Sequence, residues 1–199
     1  PVVYWLSVQA YLVHAPGTSP TRWGWKTSTS EWNDVAVYAQ STDAATADWK
    51  KLDYPSQHSY AGRKTGLAFR ITTSDQSEYL TVKNQVADDW LCNSANPVTA
   101  AVWWGSYKGY DYYACECQDL PEPRKPLYFW LSLWTDVPDP RPSDPVTYSR
   151  PAELVWEYKA YEYDEVLVGY DRGSEQVSHQ GDREAVYRYS VRIPKRNWF

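Results

Sequence analysis

Long hydrophobic runs are missing from this sequence. None approaches the length of about 18 residues that a membrane-spanning helix needs. Basic stretches are also scarce: Lys50-Lys51, Arg63-Lys64 and the Arg192 to Arg196 region are the only short clusters, and the net charge is −5 with a pI near 5.2. Without a stripe of cations to neutralise several phosphates, nucleic acid is excluded as the partner. Cysteine is sparse and odd in number, three in all. Cys115-Glu116-Cys117 would put two thiols on one face of a strand, and Cys92 could reach either of them if the strands align. Secreted domains ordinarily pair their cysteines completely, and no Asn-x-Ser/Thr sequon occurs. The expectation is therefore a cytoplasmic chain, with a mature secreted chain as the alternative.

Signatures of chemistry are lacking as well. G-x-S-x-G, G-x-x-x-x-G-K-[ST], H-E-x-x-H and G-x-G-x-x-G are all absent. His14, His58 and His179 are scattered, with no partner at metal-ligand spacing, so no metal and no particular cofactor is read from the sequence. Two acidic groups stand out, Asp136, Asp139 and Asp144 in one and Glu162, Asp164 and Glu165 in the other. Neither has the regular oxygen spacing of a calcium loop. A carboxylate pair flanked by Trp and Tyr would suit a carbohydrate hydrolase, but solvated surface charge is the plainer reading.

What the chain does hold is aromatic surface. Aromatic residues make up 17% of it: 12 Trp and 18 Tyr against only 3 Phe. Each such ring buries about 150–250 Å², so one modest core is crowded before it takes them all. Trp and Tyr also carry a polar handle that suits half-wet positions and ligand sites. The segment 22–32 places Trp23, Trp25 and Trp32 among Gly, Ser and Thr. In the stretch 100–118, Trp103 and Trp104 are adjacent, so in a strand they must point to opposite faces. Gly105, beside Trp103, leaves room for something flat. The expectation is that Trp103 and Tyr107, with Tyr110, Tyr112, Trp23 and Trp25, form a binding shelf, while Trp104 enters the core.

Period-2 alternation recurs along the chain. It predicts strands over 4–13, 34–40, 67–73, 78–84, 99–107, 110–117, 127–134, 153–161, 165–170 and 184–192. A hairpin is expected from 102–107 to 110–117 across Lys108-Gly109, and another from 165–170 to 184–192 around the long polar stretch 171–184. Only 43–52 reads as helix, with an N-terminal cap at Ser41 or Thr42, early acids and Lys50-Lys51 at its end. The proline-rich stretches 119–126 and 136–145 cannot be central strands and are taken as long loops.

The fold class that follows is all-β, a single antiparallel β-sandwich of about ten strands spanning 1–199, with a barrel as the alternative. The strand over 153–161 would put Leu154, Trp156 and Tyr158 on one face and Glu157 and Lys159 on the other. If it lies at an edge it invites a homodimer. The functional expectation is a non-enzymatic protein that binds a small flat ligand, either an aromatic compound or pigment or a glycan. The alternatives are a carbohydrate hydrolase using an Asp/Glu pair, and a membrane-active or self-assembling protein.

Overall fold

A computed structural model describes residues 2–12, 22–28, 34–39, 48–58, 60–72, 85–92, 95–108, 125–141, 147–172 and 183–199. In chain order its strands are β1 (Val2–Tyr11), β2 (Arg22–Trp25), β3 (Thr27–Ser28), β4 (Val37–Ala39), β5 (Lys50–Lys51), β6 (Gly66–Leu67) and β7 (Phe69–Thr72). The longer strands follow: β8 (Gln85–Cys92), β9 (Ala100–Lys108), β10 (Tyr128–Val137), β11 (Arg150–Ala160), β12 (Asp164–Arg172) and β13 (Arg183–Arg192). They assemble into a six-stranded sheet in the order β11-β10-β1-β8-β4-β5, a second sheet β12-β13-β9-β2 in which β7 also pairs with β9, and the small pair β3-β6. Every pairing is antiparallel. The architecture is that of a β-sandwich, not closed into a barrel.

Alternation explains why these segments are strands and which face each buries. In β1, Leu6, Val8 and Ala10 point inward and stand opposite Leu133, Leu131 and Phe129 of β10. The second sheet meets them with Ala101, Trp103 and Tyr107 of β9 and Tyr189 and Val191 of β13. Trp5 lies on the opposite face of the first sheet, buried with Val37, Ala39, Trp49, Ala87 and Trp134 in a second cluster. At roughly 1.5–3 kcal/mol for each fully buried large apolar side chain, these two clusters supply most of the driving force for folding.

The expected helix over 43–52 is not formed in its described part. Lys50 and Lys51 pair as strand with Tyr38 and Val37, and Trp49 is buried edge-on against Trp134 with ring centroids 5.8 Å apart. Sheet pairing and tryptophan burial outweigh the capping signals here; residues 43–47 lie outside the described residues. Among the described residues the one helical element is a 3-10 turn at Lys195–Asn197, and no helix is long and apolar enough to cross a membrane.

The expected hairpin from 102–107 to 110–117 cannot run the full length of 102–107. Residues 102 and 103 of β9 are flanked by β13 on one side and β7 on the other, and Gly105 by β13 and β2, so no edge is left there for the following segment. Residues 110–117, and the strand expected over 78–84, fall outside the described residues. The hairpin of β12 with β13 is present, with Asp164 opposite Ser190 and Arg172 opposite Arg183.

Strand β8 has no counterpart in the expectation. Its Asp88-Asp89 pair is a poor strand signal, yet both side chains are buried. The Asp88 carboxylate accepts the backbone N–H of Leu67 at 2.6 Å and of Asp89 at 3.0 Å. Those bonds meet the requirement that a buried carboxylate be partnered.

Strand β11 does form an edge, but its faces differ from the simple alternation. A bulge between the pairs Leu133–Trp156 and Trp134–Leu154 leaves Val155 as the extra residue. Trp156 and Tyr158 face inward, while Leu154 is turned to the outer face beside Trp134 and is exposed.

Candidate functional site

Four of the six expected shelf residues are core. Trp103 is fully buried between the sheets, stacked on Tyr189 at 6.0 Å and 7° and edge-on to Phe129 at 6.0 Å. Tyr107, Trp23 and Trp25 are buried in the same cluster, and the Trp25 indole N–H donates to the Ala68 carbonyl at 2.9 Å. The assignment of Trp103 to an open face and Trp104 to the core is thus reversed: Trp104 is the half-buried one, on the outer face of the second sheet. The reason is the occupant of the space over Gly105. A Cβ on that glycine would stand 2.2 Å from Trp23 Cζ2, so the flat group resting there is the chain's own indole. Tyr110 and Tyr112 lie outside the described residues, as do Trp32, His14, His179, Asp144, Cys115 and Cys117.

Around these rings a carboxylate is enclosed. The Glu165 side chain is 6% exposed, the Tyr107 hydroxyl donates to its Oε2, and Lys125 Nζ caps Oε1 at 3.0 Å from a side chain that is 62% exposed. Tyr163, packed edge-on against Phe129 at 4.5 Å, donates its hydroxyl to the Pro126 carbonyl at 2.7 Å. Of the acidic group Glu162, Asp164 and Glu165, only Glu165 enters this cluster; the other two are exposed. Burial, first of all, pushes the phenols of Tyr107, Tyr163 and Tyr189 far above their ordinary value, and the Glu165 carboxylate pushes each of them in the same direction.

A pH dependence follows. The native chain keeps these three protons where the unfolded chain releases them, so the stability they contribute is intact below about pH 10 and falls as pH rises further. In an alkaline titration, a set of phenols should ionise only in step with the loss of near-ultraviolet circular dichroism. Complete ionisation of all tyrosines with the fold intact would contradict the burial.

Elsewhere, Asp136 accepts the Trp5 indole N–H at 2.8 Å, and burial raises its pKa above the usual carboxylate value. No group of three His, Cys, Asp or Glu side chains among the described residues could hold a metal ion.

Among the described residues, exposed rings other than Trp198 gather in two places. In the loop after β5, Tyr54 stacks on His58 at 4.7 Å, Tyr60 packs edge-on to Tyr54, and Arg63 covers Tyr60 at 5.2 Å. Three successive turns shape this loop, closed by the bonds His58 N to Pro55 O, Ala61 N to His58 O and Arg63 N to Tyr60 O. Its rings are spent on one another and on the arginine.

The second group is more open. Tyr11 at the end of β1 stands opposite Tyr128 at the start of β10, their rings stacked at 4.9 Å and 11°. Tyr161, just past β11, adds a third ring 5.0 Å from Tyr128. Tyr11 is 46% and Tyr161 62% exposed. The Leu127 N–H, bonded to the Tyr11 carbonyl at 2.9 Å, fixes the entry to β10 and with it the ring of Tyr128. Burial, and after it the neighbouring phenols Tyr11 and Tyr161, raise the Tyr128 pKa. On the next row of the same face, Lys159 lies 5.3 Å above the Trp130 ring. The alternation of β1 places Tyr11 outward, but the row depends on the β1–β10 register, which local sequence does not carry.

The profile of a family described as a domain of unknown function, DUF7901, matches residues 1–72 and 73–199, so the chain belongs to that family. No curated protein and no solved structure matches it.

Proposed function

We propose that this member of the DUF7901 family is a non-enzymatic binding module that takes the ring of a glycan on the row Tyr11–Tyr128–Tyr161. The observation that carries the reading is the row itself: Tyr11 and Tyr128 paired across the sheet, Tyr161 packed beside Tyr128, and the two outer rings open to solvent. Such a surface offers flat apolar faces edged by hydroxyls, the complement of a sugar ring that has an apolar face and a polar rim.

A glycan suits the row better than a planar aromatic compound or pigment. An apolar aromatic ligand gains most where 70–90% of its surface is enclosed, whereas a sugar stacks on an open ring and leaves its hydroxyls in water. Binding is favoured over hydrolysis because Glu165, the carboxylate enclosed beside Tyr107, is engaged by Tyr107 and Lys125.

Isothermal titration against neutral oligosaccharides of glucose, mannose and galactose tests the proposal. Saturable binding to at least one of them is expected. Tyr11→Ala and Tyr161→Ala should each weaken it roughly three- to tenfold, with an unchanged melting temperature, from the 0.5–1.5 kcal/mol that a ring contact contributes. Heat-free titrations throughout, or variants that bind like the parent, would overturn it. Tight capture of a planar aromatic dye in place of the sugars would assign the row to that class instead.

A further inference from the structure

The face that carries Tyr11, Tyr128 and Tyr161 does not end with them. Pairing across β1, β10 and β11 sets Gln9 opposite Trp130 and Trp130 opposite Lys159, one row further along the strands. Gln9 and Trp130 lie two positions from Tyr11 and Tyr128, so strand alternation brings them to the same face. Lys159 joins that face through its pairing with Trp130. Two residues of strand rise by about 7 Å, which puts the second row within reach of a sugar linked to one on the first.

The two rows differ in chemistry. The first is phenol throughout, whereas the second holds two N–H donors and a cation. Among the described residues whose buried polar atoms have no hydrogen-bond partner are Gln9, at Nε2, and Trp130, at Nε1. Gln9 is only 8% exposed. Buried donors without acceptors cost stability, and native structures hold few of them. Lys159 is exposed, with its Nζ 5.3 Å above the Trp130 ring. Among the described residues it forms no ion pair. Its flexible stem can shift to open the row beneath it.

We infer that the glycan taken by this face is an acidic one. One sugar stacks on the tyrosine row, and the next places a carboxylate or sulfate group on Lys159, with other oxygens toward Gln9 and Trp130. The inference rests on the reading of the tyrosine row as a glycan site and adds the class of glycan. An anionic sugar supplies what the second row lacks, a counter-charge for one cation and acceptors for two donors. The chain as a whole carries a net charge of −5, so its overall field repels an anion. Any preference for an acidic sugar must therefore come from a local cation, and Lys159 is the one placed to give it.

Titration calorimetry at low salt tests this by comparing the neutral oligosaccharides of glucose, mannose and galactose with their uronate and sulfated counterparts. For the sugar that binds, the acidic forms are expected to be about two- to fivefold tighter than the neutral one, the worth of an exposed ion pair. The advantage should shrink as salt is added. Lys159→Gln should bring acidic and neutral forms to equal affinity, and Lys159→Arg should keep the order, with melting temperature reporting that each variant is folded. Equal binding of acidic and neutral forms by the parent would overturn the inference and leave the reading of the tyrosine row in place. So would a preference that survives Lys159→Gln. Acidic forms that bind through Lys159 but are indifferent to Tyr11→Ala would mark a plain ion site and overturn it as well. Heat-free titrations with every neutral and acidic form would remove both readings.

Discussion

Trp103→Ala is expected to lower the free energy of unfolding by about 3–5 kcal/mol, a large share of what holds a domain together. Trp104→Ala, one residue along, should cost about 1–2 kcal/mol. The difference arises from position alone. Trp103 is completely enclosed between the sheets by Tyr189 and Phe129, while Trp104 is half-buried on the outer face. Removing the inner indole leaves a void that neighbouring rings fill poorly, and the cost grows with the volume left empty. Trp103→Phe should lose much less than Trp103→Ala. The Trp103 indole N–H is buried without a hydrogen-bond partner, and phenylalanine removes that unmet group along with the extra ring. Urea unfolding of the three variants settles the order, and equal losses for Trp103→Ala and Trp104→Ala would contradict the placement.

The second large effect comes from adding atoms. Gly105→Ala is expected to destabilise by about 1–3 kcal/mol, because its methyl would stand 2.2, 2.5 and 2.6 Å from Trp23 Cζ2, Cε2 and Nε1. Trp23 is itself buried and packs edge-on to Tyr189 at 6.2 Å, so the indole cannot swing aside without loosening the ring cluster. Glycine is needed here for the close approach of a side chain, not for a special backbone angle. A double-mutant cycle isolates the cause. With Trp23→Ala already in place the added methyl should cost little, and the two changes should be strongly non-additive. An undiminished penalty in the Trp23→Ala background would place the strain elsewhere.

Much of the sheet architecture is legible in local sequence because alternation records which face of a strand is buried. β1, β9, β10 and β13 all show it. β8 is hidden because Asp88 and Asp89 read as loop residues until it is known that the Asp88 carboxylate accepts the backbone N–H groups of Leu67 and Asp89. Leu154 is misread because a bulge inserts one residue and reverses the face of what precedes it. At Trp103 and Trp104 alternation dictates opposite faces without saying which is inner; Trp23, eighty residues earlier, decides. The tyrosine row is hidden for a similar reason. Tyr11 and Tyr128 meet only through strand register, and Tyr161 joins them only because the chain turns between sheets there. The spare aromatic surface can be counted in the composition, but its position is a tertiary property.

The place of β1 in the first sheet also governs the order of assembly. Its neighbours are β8 and β10, with Val8 paired to Val86 on one side and Tyr4 to Thr135 on the other. During synthesis this strand, with its apolar Leu6, Val8 and Ala10, emerges long before either neighbour exists. It gains its second partner only after residue 137 has left the ribosome. A fold built on such distant pairings belongs to the slow class, which closes in milliseconds to seconds, not microseconds. Until β10 emerges β1 keeps at least one unpaired edge beside its apolar face, so the growing chain is most exposed to aggregation before residue 137 has appeared.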